Sequence, residues 1–469
     1  MRVLLFHGYM LRGTGSNIYT ANLARALAAL GHEVHLLCQD RQVKIEGVEI
    51  HNPDIHGLLP VYVKDPYEGF EVKAFEELTD KELNRYIDAN VAAVREVADS
   101  VGGFDAALAG HLVMGPAILA RAEIGAFAAK IHGSALEYTV KPHPRFLPYA
   151  EEGMNAAATV LVGSRHTAES LWAALPNVPG LRDKTRLGPP GVDTDGFRPR
   201  VLSRQEGGLA DSPVRTPPPT APPEEEGLRV VFVGKLIVSK GVDLLVAAWP
   251  LVRWQHPNAE LQIAGYGEYE QGLRRLLAAL ERGNLDDARE VAKLGRGLEG
   301  GSAEPLPILS AFLADLPDGY LDAAKGIADS VEFIGRLEHD EVAELLPDAE
   351  ALVMPSTFPE AFGMVAAEAA ACGVLPVSAG HSGMREVSRE LAATLPPEAA
   401  ELVSFPVEEG AVEAIADRLN RWFELPEDKR IEAREALVDT ARQLWSWEGV
   451  ARGVLAASAA RLNELSAPE

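Results

Sequence analysis

Val3 to Phe6 is an unbroken apolar run, followed by a polar stretch broken by Gly8, Gly13 and Gly15. From Ile18 to Leu30 apolar residues recur at helical spacing until Gly31, and Glu33 to Leu37 is again short and apolar. Strand, glycine loop, helix, strand is the opening of a parallel α/β sheet. The rhythm predicts further strands near 106–109, 129–132 and 159–162. It breaks where Thr216 to Pro223 is proline-rich and Glu224, Glu225 and Glu226 follow. Proline lacks the amide hydrogen that a helix or central strand needs, so 199–228 reads as an extended linker. The α/β rhythm then restarts, with strands predicted at 229–234, 261–265, 331–335, 351–355 and 374–378. Between 272 and 330 no buried strand is legible; Leu273, Leu276, Leu277 and Leu280 have helical spacing, and 305–313 is a second apolar cluster. That stretch reads as a helical insertion. The chain thus divides into an α/β domain over 1–198, a linker, and an α/β domain over 229–447, with a cleft between the two domains as the expected ligand site.

Composition narrows the class of partner. The 469 residues fit two large or three average domains, and 47% apolar with 24% charged residues is an ordinary globular mix. Lys plus Arg is 44 against 69 Asp plus Glu, a net charge of −25. Such a surface repels phosphate backbones and anionic lipid, which argues against nucleic acid and membrane partners. A small anionic ligand is still compatible, because a few local cations suffice for one. Cys38 and Cys372 make no disulfide framework and fit a reducing compartment. The opening MRVLLFHGYM is too short and too polar for a secretion signal, so a cytoplasmic location is expected. A homo-oligomer is compatible with the sequence.

Two segments carry candidate chemistry. Gly234-Lys235-Leu236 ends a strand, Lys240-Gly241 follows, and a helix should begin near Val242. A helix N-terminus with two lysines beside it is suited to a diphosphate without a metal. The second segment runs from Pro355 to Glu368 and feeds an alanine-rich helix. The amides around Phe362, Gly363 and Met364 can receive oxygen atoms, and Glu360 and Glu368 could hold two sets of hydroxyls.

Glu360 and Glu368 also form the E-x7-E pattern of retaining glycosyltransferases, and 331–386 resembles glycosyltransferase family four. The resemblance extends through Gly234-Lys235-Leu236 with Lys240-Gly241, Gly265-Tyr266-Gly267, and Pro190 to Pro199. It leaves out only the linker and the insertion. It implies the GT-B fold, α/β with two Rossmann-like domains facing across a cleft, and a C-terminal segment (about 448–469) crossing back onto the first domain. It further implies transfer of a hexose, glucose or mannose, from a nucleoside diphosphate to a carbohydrate or other hydroxyl acceptor, with retention and with neither metal nor cofactor.

Residue roles follow from the same resemblance. Lys235 and Lys240 would stabilise the departing diphosphate; the family usually has arginine where Lys235 stands. Glu360 would touch the transferred sugar and Glu368 the ribose. The backbone at Arg336 and Leu337 would meet the base, and Gly234, Phe362, Gly363, Met364 and Val365 would line the donor. In the first domain Gly15 belongs to the glycine loop that approaches the donor phosphate. His132 matches a histidine that contacts the donor sugar in the sucrose-forming enzymes. His111 and Arg12 are assigned to the acceptor side. Acceptor specificity is expected in the insertion and in the loop from Glu137 to Tyr149. Asp193-Thr194-Asp195 has the form of a metal motif, but it lies within the interdomain segment and reads as a turn. Competing readings are a nucleotide-sugar epimerase on the same fold, a catalytically idle regulatory or binding homologue, and, with little support, a dinucleotide-dependent oxidoreductase.

Overall fold

The computed structural model describes residues 1–13, 15–62, 67–200 and 227–468. The linker expected over 199–228 therefore lies almost wholly outside the described residues.

The first domain runs β1 (Arg2–Phe6), α1 (Gly15–Ala29), β2 (Glu33–Leu37), β3 (Val48–His51), β4 (Leu58–Val61), β5 (Glu71–Ala74), α2 (Asp80–Val101), β6 (Ala106–Gly110), α3 (Gly115–Arg121), β7 (Ala128–Ile131), α4 (Leu147–Ala156), β8 (Thr159–Val162), α5 (Arg165–Ala174), α6 (Leu181–Lys184) and β9 (Thr185–Leu187). Seven of these strands form one parallel sheet in the order β3-β2-β1-β6-β7-β8-β9, and β4 and β5 pair separately. The apolar run of β1 serves both faces. Val3 and Leu5 pack in one core cluster and Leu4 and Phe6 in another. That double burial is why parallel strands read as continuous apolar runs.

The second domain runs β10 (Arg229–Val233), α7 (Val242–Gln255), β11 (Glu260–Ala264), α8 (Glu270–Glu281), α9 (Leu285–Leu294), α10 (Pro307–Ala314), α11 (Tyr320–Ala323), β12 (Val331–Gly335), α12 (His339–Leu345), β13 (Ala351–Met354), α13 (Met364–Ala371), β14 (Leu375–Ala379), α14 (Ser382–Ala392), α15 (Pro397–Ala400), β15 (Ser404–Phe405) and α16 (Ala411–Glu424). Its parallel sheet has the order β12-β11-β10-β13-β14-β15. A crossover from β11 to β12 needs one helix, which α8 supplies, so the added chain begins after it, at Gly283. That added segment is helical, as its leucine spacing predicts. It is held to α7 by the Tyr320 hydroxyl on the Ala247 carbonyl at 2.7 Å, and at its end Trp249 Nε1 bonds the Ser330 hydroxyl at 3.0 Å.

Two helices close the chain, α17 (Glu427–Trp445) and α18 (Trp447–Ser458). The first stays on the second domain, packed on α13, while α18 lies on α1 and β6 of the first. The Ser458 hydroxyl bonds the Ala107 carbonyl at 2.9 Å, and the Leu187 amide bonds Ser466 at 2.8 Å. Between them the Val192 amide donates to the Trp445 carbonyl at 2.7 Å, where the two crossing segments touch. Among the described residues no helix is long and apolar enough to cross a membrane.

In both sheets the strand order reverses next to the first strand, between β1 and β6 and between β10 and β13. Ligands of open α/β sheets bind at the carboxyl ends of the strands beside that reversal. The loops after β1, β6 and β7 thus face those after β10, β13 and β14.

Candidate active site

On the second domain, three loops are tied into one wall. After β10 a short 3-10 turn, Val238–Lys240, leads through Gly241 into α7. Gly241 has φ +64°, and a Cβ there would stand 2.0 Å from the Pro355 carbonyl oxygen, so no other residue fits so close to the β13 loop. The Ser356 hydroxyl and the Thr357 amide both donate to the Ser239 carbonyl, at 3.1 and 2.9 Å. The Lys240 ammonium donates to Glu360 Oε1, which also receives the Ser356 hydroxyl at 2.8 Å. From the β14 loop, the Ser382 hydroxyl accepts the Glu360 amide at 2.9 Å and His381 Nε2 donates to the Ser356 carbonyl at 2.8 Å. Lys235 is exposed at the end of β10, one loop away from Lys240.

Glu368 lies two turns further, on α13, and is 3% exposed. His339 covers it, with Nε2 at 2.9 Å from Oε1. The bond from Glu368 raises the His339 pKa above its ordinary value, against the opposing effect of burial. The His339 ring in turn rests on Phe197 of the interdomain segment, 4.8 Å between centroids. Arg336 is exposed over the Tyr266 ring and pairs with Glu338 at 2.9 Å, while Leu337 packs on the core. Phe362 is buried edge-on to Trp445, and Met364 and Val365 are partly buried. Gly363, Met364 and Val365 open α13, where the first amides have no acceptor inside the helix.

The facing wall is built from rings. His111 follows β6, is 3% exposed, and has neither ring nitrogen hydrogen-bonded among the described residues. Around it stand His132, Tyr9, Tyr62 and His7, with centroids 4.7, 5.0, 5.1 and 5.3 Å away. His132, after β7, also meets Tyr19 at 5.3 Å. Burial holds both histidines well below the usual imidazole pKa, with His7 adding to the effect at His111 and with His111 and Lys130 adding to it at His132. His7, held at Nε2 by Asn17 and Met10, is pushed down to about 4 by burial. The three histidines of this wall are therefore uncharged at neutral pH and offer ring donors and acceptors.

The walls meet closely. A Cβ on Gly15 would lie 3.9 Å from Met364 Sδ, so the N-termini of α1 and α13 face each other. A Cβ on Gly133, next to His132, would lie 3.3 Å from Ala361 Cβ, next to Glu360. Glu386 on α14 accepts the amides of Arg165 at 2.8 Å and His166 at 3.1 Å. A carboxylate of one domain thus caps helix α5 of the other. Glu386 ends the 331–386 segment singled out in the sequence, but this contact is not legible there, because its partners are 221 and 220 positions away.

Other placements depart from expectation. Arg12, assigned to the acceptor side, is held within its own domain: its guanidinium bonds Asp40 at 3.3 Å and Gln42 at 3.0 Å. Asp40 also accepts the Leu11, Gln42 and Val43 amides; these bonds and Arg12 outweigh its burial and lower its pKa. The N-terminus of α7, expected to hold a ligand anion, already has the chain's own carboxylates beside it. Asp243 lies buried in its first turn, with burial and the nearby Glu299 pushing its pKa up to about 7. Glu299, from the insertion, accepts the Val238 amide at 2.5 Å. The insertion therefore touches the loop that bears Lys240 and is not confined to the acceptor side. In the 137–149 loop, Lys141 pairs with Glu137 at 2.6 Å and Arg145 with Asp80 at 2.9 Å, so neither cation is unpaired. Asp193 accepts the amides of Asp195 and Gly196, both at 3.1 Å, which is the turn the sequence indicates. His339 and Tyr138 were missed. Tyr138 is exposed, and the charge of Glu360 adds to burial in raising its pKa.

Comparison with known proteins fixes the class. Over 96% of both chains the fold matches sucrose-phosphate synthase from Thermosynechococcus elongatus, with TM-score 0.57 and 20% identity. Over 99% of this chain and 100% of the other it matches Anabaena HepE, solved in complex with UDP, with TM-score 0.59 and 15% identity. The fold is that of the GT-B glycosyltransferases. Residues 13–196 match Glycosyltransferase Family 4, and 227–295 and 320–444 match Glycosyl transferases group 1. The D-inositol 3-phosphate glycosyltransferase of Frankia alni is 29% identical over 455 residues, 94% of this chain and 93% of the relative. A GDP-mannose-dependent alpha-(1-6)-phosphatidylinositol monomannoside mannosyltransferase of Mycolicibacterium smegmatis is 29% identical over 279 residues, 58% of this chain and 56% of its own. The chain is a glycosyltransferase, and its first domain is similar to glycosyltransferase family four.

Proposed function

We propose that the protein transfers a hexose from a nucleoside diphosphate to an acceptor hydroxyl, with retention at the anomeric carbon and without a metal. The observation that carries this reading is the Lys240–Glu360 pair at the sheet reversal, facing His132 across the cleft. A leaving diphosphate gains negative charge in the transition state. Lys235, Lys240 and the first amides of α13 are fixed charges and dipoles suited to meet it, with no reorganisation at the moment of reaction. The diphosphate draws Lys240 towards itself and frees Glu360 for the sugar hydroxyls. Glu368, buried on α13, takes the ribose hydroxyls. Neutral His132 bonds a sugar hydroxyl from the first domain. The leaving phosphate then takes the acceptor proton on the same face of the sugar, so no carboxylate nucleophile is required, unlike in retaining glycosidases. Closure of the cleft excludes water, which would otherwise hydrolyse the donor.

Incubation with UDP-, GDP- and ADP-hexoses, alone and with acceptors, tests the reading. Release of nucleoside diphosphate only in the presence of acceptor, with a product of unchanged anomeric configuration by NMR and full activity in EDTA, supports it. Conversion of the donor to an epimer without acceptor would establish the epimerase instead. D-inositol 3-phosphate, the acceptor in the names of several relatives, is the first to test, with myo-inositol beside it as the neutral counterpart.

A further inference from the structure

At the outer edge of the first sheet, strand alternation sets four metal-type side chains on one face. His35 of β2 is paired in register with Glu49 of β3, and Leu37 with His51. Glu33, His35, Glu49 and His51 therefore project to the same side. His35 is 1% exposed, wedged against Phe104 with centroids 5.6 Å apart, so its ring has little freedom.

The hydrogen bonds fix its tautomer. Glu33 accepts from His35 Nε2 at 3.2 Å, and a carboxylate can only accept, so the proton sits on Nε2. The lone pair of Nδ1 then points at His51 Nε2, 3.1 Å away, with a Glu49 oxygen 3.5 Å from it. The other Glu49 oxygen is 3.8 Å from His51 Nε2. Ligands about 2.0–2.1 Å from a tetrahedral zinc ion stand about 3.3 Å apart. The two nitrogens have that spacing, each has a Glu49 oxygen within 3.8 Å, and one donor atom from each of the three residues lies within 4.8 Å of the others, so a small rotation of the exposed Glu49 completes the set. Glu33, itself held by Arg2 at 3.4 Å, occupies the place of the carboxylate that orients a metal-bound histidine from outside.

We propose that His35 Nδ1, His51 Nε2 and the Glu49 carboxylate bind one divalent transition-metal ion of the zinc type, with water in the fourth position. The ion lies two strands away from the sheet reversal and takes no part in group transfer. It clamps the edge strand β3 to β2 and blunts an otherwise open sheet edge. The proposal is independent of donor or acceptor identity.

The test uses the full chain, untagged and stripped by a chelator, titrated with Zn2+ by calorimetry and with Co2+ by visible absorption. The expected result is one ion per chain, Co2+ bands typical of tetrahedral coordination, and a Tm that rises with free Zn2+. His51→Ala should weaken Zn2+ binding at least tenfold. Glu49→Gln, at an exposed position that does not threaten the fold, should also weaken it. His56→Ala, five residues on and exposed, should leave it unchanged. No binding by the wild-type chain, or equal binding by wild type, His51→Ala and Glu49→Gln, would overturn the proposal and leave a plain histidine–histidine hydrogen bond.

Discussion

The two walls of the cleft solve the same problem with different chemistry. The second-domain wall is charged and already internally paired: Lys240 with Glu360, Glu368 with His339, and loop with loop through Ser239, Ser356 and Ser382. The first-domain wall is neutral and aromatic, with His111 carrying two unbonded ring nitrogens among the described residues. A charged wall whose groups neutralise one another is stable while empty and can be re-paired by a charged ligand. A neutral wall makes no electrostatic demand and selects by shape and hydrogen bonds. In the proposed reaction this difference puts the diphosphate on one side and sugar hydroxyls on both.

Removing the cation should expose the contrast most strongly. Lys240→Ala removes the charge aimed at the leaving diphosphate and strands Glu360 without its partner. Loss of one such donor typically costs about 10²–10³ in kcat, and a similar fall is expected here. Lys240→Arg should recover part of it. If Lys240→Ala and Glu360→Ala both turned over donor at the wild-type rate, the charged wall would not be the catalytic one.

His132→Ala tests the neutral wall. Loss of one hydrogen bond that leaves a buried sugar hydroxyl unpaired costs about 1–3 kcal/mol, about 5- to 150-fold in rate, so a smaller loss than for Lys240 is expected. Because the imidazole is neutral well below pH 6.5, the loss should be constant from pH 6 to 8. A loss that varied with pH across that range would show that His132, or Lys130 acting on it with a pKa pushed down to about 7 by burial, titrates in the working enzyme and that the wall is not neutral.

The sequence made one wall far more legible than the other. Lys240, Glu360 and Glu368 stand out because each lies in a short motif at fixed spacing, and strands such as β1 and β13 because they are continuous apolar runs. β3, β9 and β15 escaped: they are four, three and two residues long, and β3 is half polar because it forms the sheet edge. The pairing of Lys240 with Glu360 spans 120 positions, and the covering of Glu368 by His339 spans 29. Such contacts are set by loop packing, which leaves no local period. The bond of Arg12 to Asp40 is illegible for the same reason, since Asp40 lies 28 positions away on the loop after β2.

A weaker test concerns how the walls are held together. Glu386 caps α5 across the cleft, and an acceptor at a helix N-terminus is worth about 0.5–2 kcal/mol. Glu386→Ala should favour the open cleft and raise the donor KM by several-fold to about 30-fold with little change in kcat, since it touches no substrate in the proposed mechanism. Glu386→Gln, which keeps one acceptor oxygen, should fall between. A drop in kcat with KM unchanged would place Glu386 in the chemistry.

The smallest expected effect comes from His339 and is carried by pH. Its folded pKa is raised, chiefly by Glu368, above the 6.5 of a free imidazole. The stabilisation from that pair is fully present below the unfolded pKa and is lost as pH rises through the folded one. The His339 side chain is 38% exposed, so solvent screening should keep the contribution below about 1 kcal/mol. Donor binding should show the opposite sign. A protonated His339 holds Glu368, whereas a neutral one releases it for the ribose, so donor KM should fall slightly from pH 6 to 8 while Tm also falls. His339→Gln should flatten both slopes. If Tm loses its slope in that variant while KM keeps it, Glu368 is not the ribose acceptor, and the charged wall binds the donor through its phosphate end alone.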